Sequence, residues 1–134
     1  MTAQGRVLIV DDDENLLSQI ESLLNEEGFS VTTNSSAYNC VRDVGDVDVV
    51  LVDYHMPGVN GAMVLKAMRN ATSERPSKPL IYLYTSDTSV ARRHEELGFD
   101  GAIMNKGDLA ALSVQVRMAV RIQKLKSLTT RRAI

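Results

Sequence analysis

Two runs of four residues, Val7-Leu8-Ile9-Val10 and Val49-Val50-Leu51-Val52, carry no polar side chain on either alternating face. A strand with one wet face alternates apolar and polar residues, so a strand apolar on both faces needs cover on both. A parallel sheet layered between helices meets that need, and few other architectures do. Neither run approaches the roughly 20 residues of a membrane span, so no segment is expected to cross a bilayer. The chain has 134 residues, which fits one domain. A domain of that size buries roughly two-thirds of the surface its unfolded chain exposes and needs no staple. Its single cysteine excludes a disulfide framework and a cysteine-based zinc site.

The rest of the chain keeps the same alternation. Residues 6–10 read as a first strand. Leu16, Leu17, Ile20, Leu23 and Leu24 then fall on one face of a helix. Asp13 can cap that helix, Glu14 favours the positive end of its dipole, and Gly28 suits its stop. Residues 29–33 read as a second strand and 37–44 as a weak helix ended by Gly45. Residues 47–52 form a third strand closed by Asp53, and Met56-Pro57-Gly58 makes a turn before a helix over 61–70. A polar loop at 74–79 leads to a fourth strand at 80–84, then Thr85-Ser86-Asp87. Val90, His94 and Leu97 mark a short helix stopped by Gly98, and residues 101–104 form a fifth strand. Asn105-Lys106-Gly107 follows, and from Asp108 the pattern predicts one long helix. Five such alternations predict an α/β fold: a five-stranded parallel sheet with helices on both faces, in the flavodoxin-like order 2-1-3-4-5.

Ligands of such sheets bind beyond the carboxyl ends of the strands, at the point where strand order reverses. Here that point lies between the first and third strands, closed by Asp11-Asp12 and Asp53. The fourth and fifth strands end with Thr85 and Lys106. Taken singly, each of these has an ordinary explanation as a cap, a turn residue or surface charge. Caps and turns do not place all of them on one sheet edge. Three carboxylates in one pocket repel: two unit charges about 4 Å apart cost about 4 kcal/mol at an effective dielectric near 20. A hard divalent cation with oxygen ligands offsets that, and magnesium suits a site with few carboxylates and a phosphoryl partner. An ionised carboxylate beside such a cation can attack phosphorus and become an aspartyl-phosphate. Thr85 would donate to a phosphoryl oxygen, and Lys106 would neutralise charge on it.

These residues resemble the receiver domain of two-component response regulators, the CheY-like family. The resemblance covers about residues 5 to 120. It rests on Asp11-Asp12-Asp13-Glu14, on Asp53-Tyr-His-Met56-Pro57-Gly-Val-Asn-Gly61, on Tyr84-Thr85-Ser86, and on Lys106 after the last strand. It implies that Asp53 is the phosphoacceptor. It implies that Asp12 binds Mg2+ (Mn2+ being a substitute), with Asp11, Asp53 and the main-chain carbonyl of His55 as further ligands. It implies that Thr85 swings toward the phosphoryl group and that Lys106 pairs with it. The donor would be a phosphohistidine of a sensor histidine kinase or phosphotransfer protein. Phosphorylation would switch the face built by the fourth and fifth strands and the last two helices. His55 and Asp87 would line the path of the hydrolytic water. Ile103 stands where the family usually has an aromatic, and Gly107 where it usually has proline. The expectation is that Thr85 repositions the 86–90 loop without an aromatic rotor. His94 and Cys40 read as packing residues.

Charge is uneven along the chain. Residues 1–67 carry 11 acids and three bases, whereas residues 68–134 carry six acids and 12 bases. From Leu109 onward there are six bases and no acid. Leu109, Leu112, Val116 and Val120 would dock on the sheet. Met118, Ile122, Leu125 and Leu128 form a second apolar line beside Arg117, Arg121 and Lys124. Residues 1–120 therefore read as the receiver and 121–134 as a basic helical extension. That extension would be a frayed end, a pairing surface for a homodimer, or a link to an effector domain. The overall charge of −2 argues against direct nucleic-acid binding. The N-terminus resembles no signal peptide, so cytoplasm is the expectation. The rival reading is a small haloacid-dehalogenase-like phosphohydrolase with Asp11 as nucleophile and Asp13 as acid/base. It lacks the late acidic pair such enzymes need and leaves Asp53 without a role.

Overall fold

The computed structural model describes residues 4–104 and 106–133, and side chains through Thr129 except at Asn105. Five strands form the parallel sheet: β1 (Arg6–Val10), β2 (Ser30–Asn34), β3 (Val49–Asp53), β6 (Leu80–Tyr84) and β7 (Gly101–Ile103). Two short strands, β4 (His55–Met56) and β5 (Val59–Asn60), make a hairpin outside it. The sheet order is β2-β1-β3-β6-β7, which is 2-1-3-4-5 when only its own strands are counted.

The double-sided apolar runs behave as their composition requires. Val7 and Ile9 of β1, with Val49 and Leu51 of β3, face a core shared with α1 (Glu14–Glu26) and α5 (Leu109–Ala133). Leu8, Val10, Val50 and Val52 face the other core, shared with α2 (Gly61–Ala71) and the short α3 (Thr88–Arg92). All eight are fully buried. Asp13 caps α1, its side chain accepting from the Leu16 N–H at 3.0 Å. On α5, Leu112, Val116 and Val120 are the docked side.

Some local expectations change: the third strand begins at Val49 and the fifth ends at Ile103. Residues 37–44 are no full helix; only Cys40–Asp43 makes a 3-10 turn. Asn39 offers it no side-chain cap. The Asn34 side chain instead accepts the Ser36 N–H at 2.8 Å and donates to Asp43 at 2.6 Å, holding the segment in a non-helical path. A helix nucleus is costly, and these local bonds compete with it. The predicted helix after Asp87 is two pieces, α3 and α4 (His94–Leu97), broken at Arg93. The second strand starts at Ser30, one residue later than the hydrophobic pattern suggests.

Helix α5 is one long helix, as the pattern predicts. Its 25 residues span about 37 Å at 1.5 Å per residue, and the helix does not break at residue 120. Gln123 is buried and donates to the Ser77 hydroxyl at 3.0 Å and the Lys78 carbonyl at 3.2 Å, tying the helix to the loop before β6. Near its start, the Ser113 hydroxyl donates to Glu27, and Arg117 lies 3.4 Å from the same carboxylate. Met118, Ile122, Leu125 and Leu128 are exposed. Among the described residues, no helix is long and apolar enough to cross a membrane.

Candidate functional site

Parallel register carries the sequence candidates to one edge. Val10 pairs with Val52, Asp53 with Tyr84, and Tyr84 with Ile103. Asp11, Asp53, Thr85 and Lys106 therefore stand at the carboxyl ends of neighbouring strands. Asp11 and Asp53 are 1% and 5% exposed, and Asp12 is exposed. Each of the three offers a carboxylate oxygen, and these oxygens lie within 4.8 Å of one another. An all-oxygen donor set of that charge suits a hard divalent cation.

Lys106 joins the cluster. Its Nζ lies 2.7 Å from Asp11 Oδ2 and 3.3 Å from Asp53 Oδ1. The other Asp11 oxygen accepts the Asp13 N–H at 3.0 Å. Burial pushes the Asp53 carboxyl up to about 6; Lys106 opposes that rise, and the Asp11 charge adds to it. Burial alone would lower the Lys106 ammonium, but Asp11 and Asp53 outweigh it and hold its pKa above the usual lysine range. The Asp53 carboxyl is thus poorly solvated and held against one ammonium.

Gly61 explains why the segment after Asp53 needs a glycine. Its N–H donates to the Tyr54 carbonyl at 2.9 Å. A Cβ there would stand 2.9 Å from the Asp53 carbonyl oxygen and 3.0 Å from Tyr54 Cα. The intervening hairpin turns at Gly58, whose φ of +80° lies in the left-handed region that glycine tolerates.

Thr85 is buried at the end of β6, where its N–H donates to the Ile103 carbonyl at 3.1 Å. Its hydroxyl oxygen accepts the Asp87 N–H at 3.0 Å. Asp87 in turn caps α3, accepting from the Ser89 N–H and hydroxyl and from the Val90 N–H. Asp87 also meets His55 Nε2 at 3.0 Å. The Ser89 and His55 hydrogen bonds pull its carboxyl down to about 2. His55 and Asp87, 32 residues apart, thus bridge the two loops beside Asp53. Ser86 is exposed, and Ile103 is buried in the core between the sheet, α1 and α5. His94 is half-buried with Nδ1 2.8 Å from the Ala91 carbonyl oxygen, and Cys40 is fully buried. Cys40 is a packing residue, as expected.

Tyr84 escapes sequence reasoning. As the last residue of an apolar strand it reads as core, yet Lys106 Nζ lies 4.8 Å from its ring centroid. Its phenol is fully buried without a hydrogen-bond partner. Burial pushes the phenol's pKa upward, and the charges of Asp11, Asp53 and Asp13 push the same way.

A five-stranded parallel sheet with acids closing β1 and β3, threonine closing β6 and lysine after β7 defines a receiver-type domain. The family model described as response regulator receiver domain matches residues 7–117, and the chain belongs to that family of two-component signalling. It is similar to the regulatory protein AtoC of Escherichia coli K12, 30% identical over 130 residues that cover 94% of this chain and 27% of AtoC. It is 32% identical over 118 residues to the sensory transduction protein RegX3 of Mycobacterium tuberculosis H37Rv, covering 86% of this chain and 50% of RegX3. The chain thus spans half or less of these relatives' length. Among solved structures, the response regulator TrrA of Thermotoga maritima, in complex with Mg2+ and BeF, shares the fold. Its TM-score is 0.72 at 23% identity over 86% of this chain and 98% of that one.

Proposed function

We propose that this chain is a phosphorylation-controlled switch in which Asp53 transiently carries a phosphoryl group. The observation that carries the reading is the placement of Asp53 beside a half-buried lysine 3.3 Å away and two further carboxylates within 4.8 Å. Asp11, Asp12 and Asp53, with the main-chain carbonyl of His55, would hold Mg2+. When bound, the cation supplies positive charge against the pocket's carboxylates and the phosphoryl oxygens. That TrrA takes Mg2+ and BeF on the same fold supports the assignment.

The donor is a phosphohistidine on a sensor histidine kinase or a phosphotransfer protein. An Asp53 carboxylate oxygen attacks phosphorus, the O–P bond forms, and the P–N bond to the donor imidazole breaks. The electron pair of that bond stays on the ring nitrogen. No general base is needed, because the ionised carboxylate is already the nucleophile. Lys106 moves its charge toward the new phosphoryl oxygens. The Thr85 hydroxyl, which accepts from the Asp87 N–H, donates a hydrogen bond to one of them. That shift draws on the 86–90 loop and alters the face formed by β6, α3, α4, β7 and α5. Ile103 remains packed throughout. His55 and Asp87, in contact with each other, govern the approach of hydrolytic water.

The phosphohydrolase alternative loses its acid/base, because Asp13 is committed as the cap of α1. The α5 residues past 120 form the link to a partner or to an output domain like those of the longer relatives. Mass spectrometry after treatment with acetyl phosphate and Mg2+ tests the central claim. A phosphoryl mass gain on the peptide containing Asp53, lost in Asp53→Asn, is the expected result. No gain, or an equal gain in Asp53→Asn, would overturn it.

A further inference from the structure

Lys106 sits on the short connection between β7 and α5, where Asp108 caps the helix. Gly107 and Asp108 beside it are exposed, and a side chain at Gly107 would meet nothing within 4 Å. The ammonium nevertheless stands between Asp11 at 2.7 Å and Asp53 at 3.3 Å. Two carboxylates do not by themselves fix a compact charge on a flexible four-carbon stem. It could slide wholly onto Asp11 and leave Asp53.

A third contact restrains it. The Tyr84 ring presents its face to Lys106 Nζ at 4.8 Å. A cation within about 6 Å of a ring centroid is attracted by the negative face of the ring. The backbone fixes where that ring can be, because Tyr84 pairs with Asp53 on one side and Ile103 on the other. The ring is fully buried and cannot swing into water. Its phenol oxygen makes no hydrogen bond, so the part of Tyr84 that meets the site is the ring face.

We propose that Tyr84 is a positioning residue whose ring face seats the Lys106 ammonium where it meets the phosphoryl group on Asp53. The proposal rests on the reading of Asp53 as phosphoacceptor. Tyr84 touches no reacting atom and acts through Lys106.

The test is the rate of Asp53 labelling by acetyl phosphate with Mg2+, read by mass spectrometry, with circular dichroism confirming the fold. Tyr84→Leu should slow labelling between about twofold and about thirtyfold, the span of cation–π strengths from exposed to desolvated sites. Tyr84→Phe should restore most of that loss. In a Lys106→Met background, Tyr84→Leu should change nothing further. Pentafluorophenylalanine at position 84 keeps the ring's shape and reverses the charge of its face, so it should slow labelling as leucine does. That variant decides the matter if Tyr84→Leu fails to fold. Labelling that is equal for all ring variants, or a Tyr84→Leu loss of the same size with and without Lys106, would overturn the inference while Asp53 stands as acceptor. No label on the wild-type protein would overturn both.

Discussion

Replacing Asp53 with asparagine should make the metal-free protein more stable, although it removes a partner of Lys106. The side chain keeps its shape and loses its charge. An unfolded aspartate titrates near about 3.9, whereas burial holds the folded Asp53 at about 6. The difference of about two pH units corresponds to about 3 kcal/mol against the ionised folded state, with the attraction of Lys106 already included. Asp53 is 5% exposed, so solvent screening removes little of this. The sign follows from proton counting. Between about pH 4 and pH 6 the folded protein holds a proton that the unfolded chain has lost, so wild-type stability falls as pH rises through that window. The asparagine variant has no such proton. Its advantage is absent below about pH 4, grows up to about pH 6, and is constant above it. Urea denaturation from pH 4 to pH 8 in the presence of a chelator measures this directly, and the melting temperature at pH 8 should rise by roughly 10 °C. Millimolar Mg2+ should narrow the gap, because a cation bound by the folded acid pocket stabilises the wild type. An asparagine variant no more stable than wild type at pH 8, or equally favoured at pH 4, would refute the electrostatic account of the pocket.

Gly61→Ala should cost about 1–3 kcal/mol in urea denaturation, because its methyl group would stand 2.9 Å from the Asp53 carbonyl oxygen and push against the end of β3. His55→Ala should change the dephosphorylation rate of labelled protein more than its phosphorylation rate. Asp87 stays anchored by Ser89 and Val90 in that variant, and equal changes in the two rates would remove the case for His55. Gln123→Ala should cost about 1 kcal/mol by leaving the Ser77 and Lys78 groups unmet. Hydrogen exchange should speed up on α5 beyond residue 121 while the protected core of the sheet stays unchanged.

Much of this was legible from residues alone. The runs at 7–10 and 49–52 demanded cover on both faces, and that demand is local, so strand type and layer count followed from it. Asp11, Asp12, Asp53, Thr85 and Lys106 were legible because each closes a strand or follows one within three residues, and strand ends in a parallel sheet share an edge. The path of 37–44 was not legible, because side-chain bonds from Asn34 outweigh a weak helical pattern. The break at Arg93 was equally hidden in an apolar spacing that fits one helix.

The amino-acid order by itself determined which groups stand at the carboxyl edge, since strand alternation and parallel pairing leave no other place for them. Only the tertiary structure decided how they engage. Lys106 lies nearer to Asp11 than to Asp53, the Tyr84 ring faces the ammonium, His55 bridges to Asp87, and Gln123 ties α5 to the loop before β6. Each of these contacts joins residues at least 22 positions apart. Local propensity carries no information about such pairs; the packing of the finished fold sets their distances.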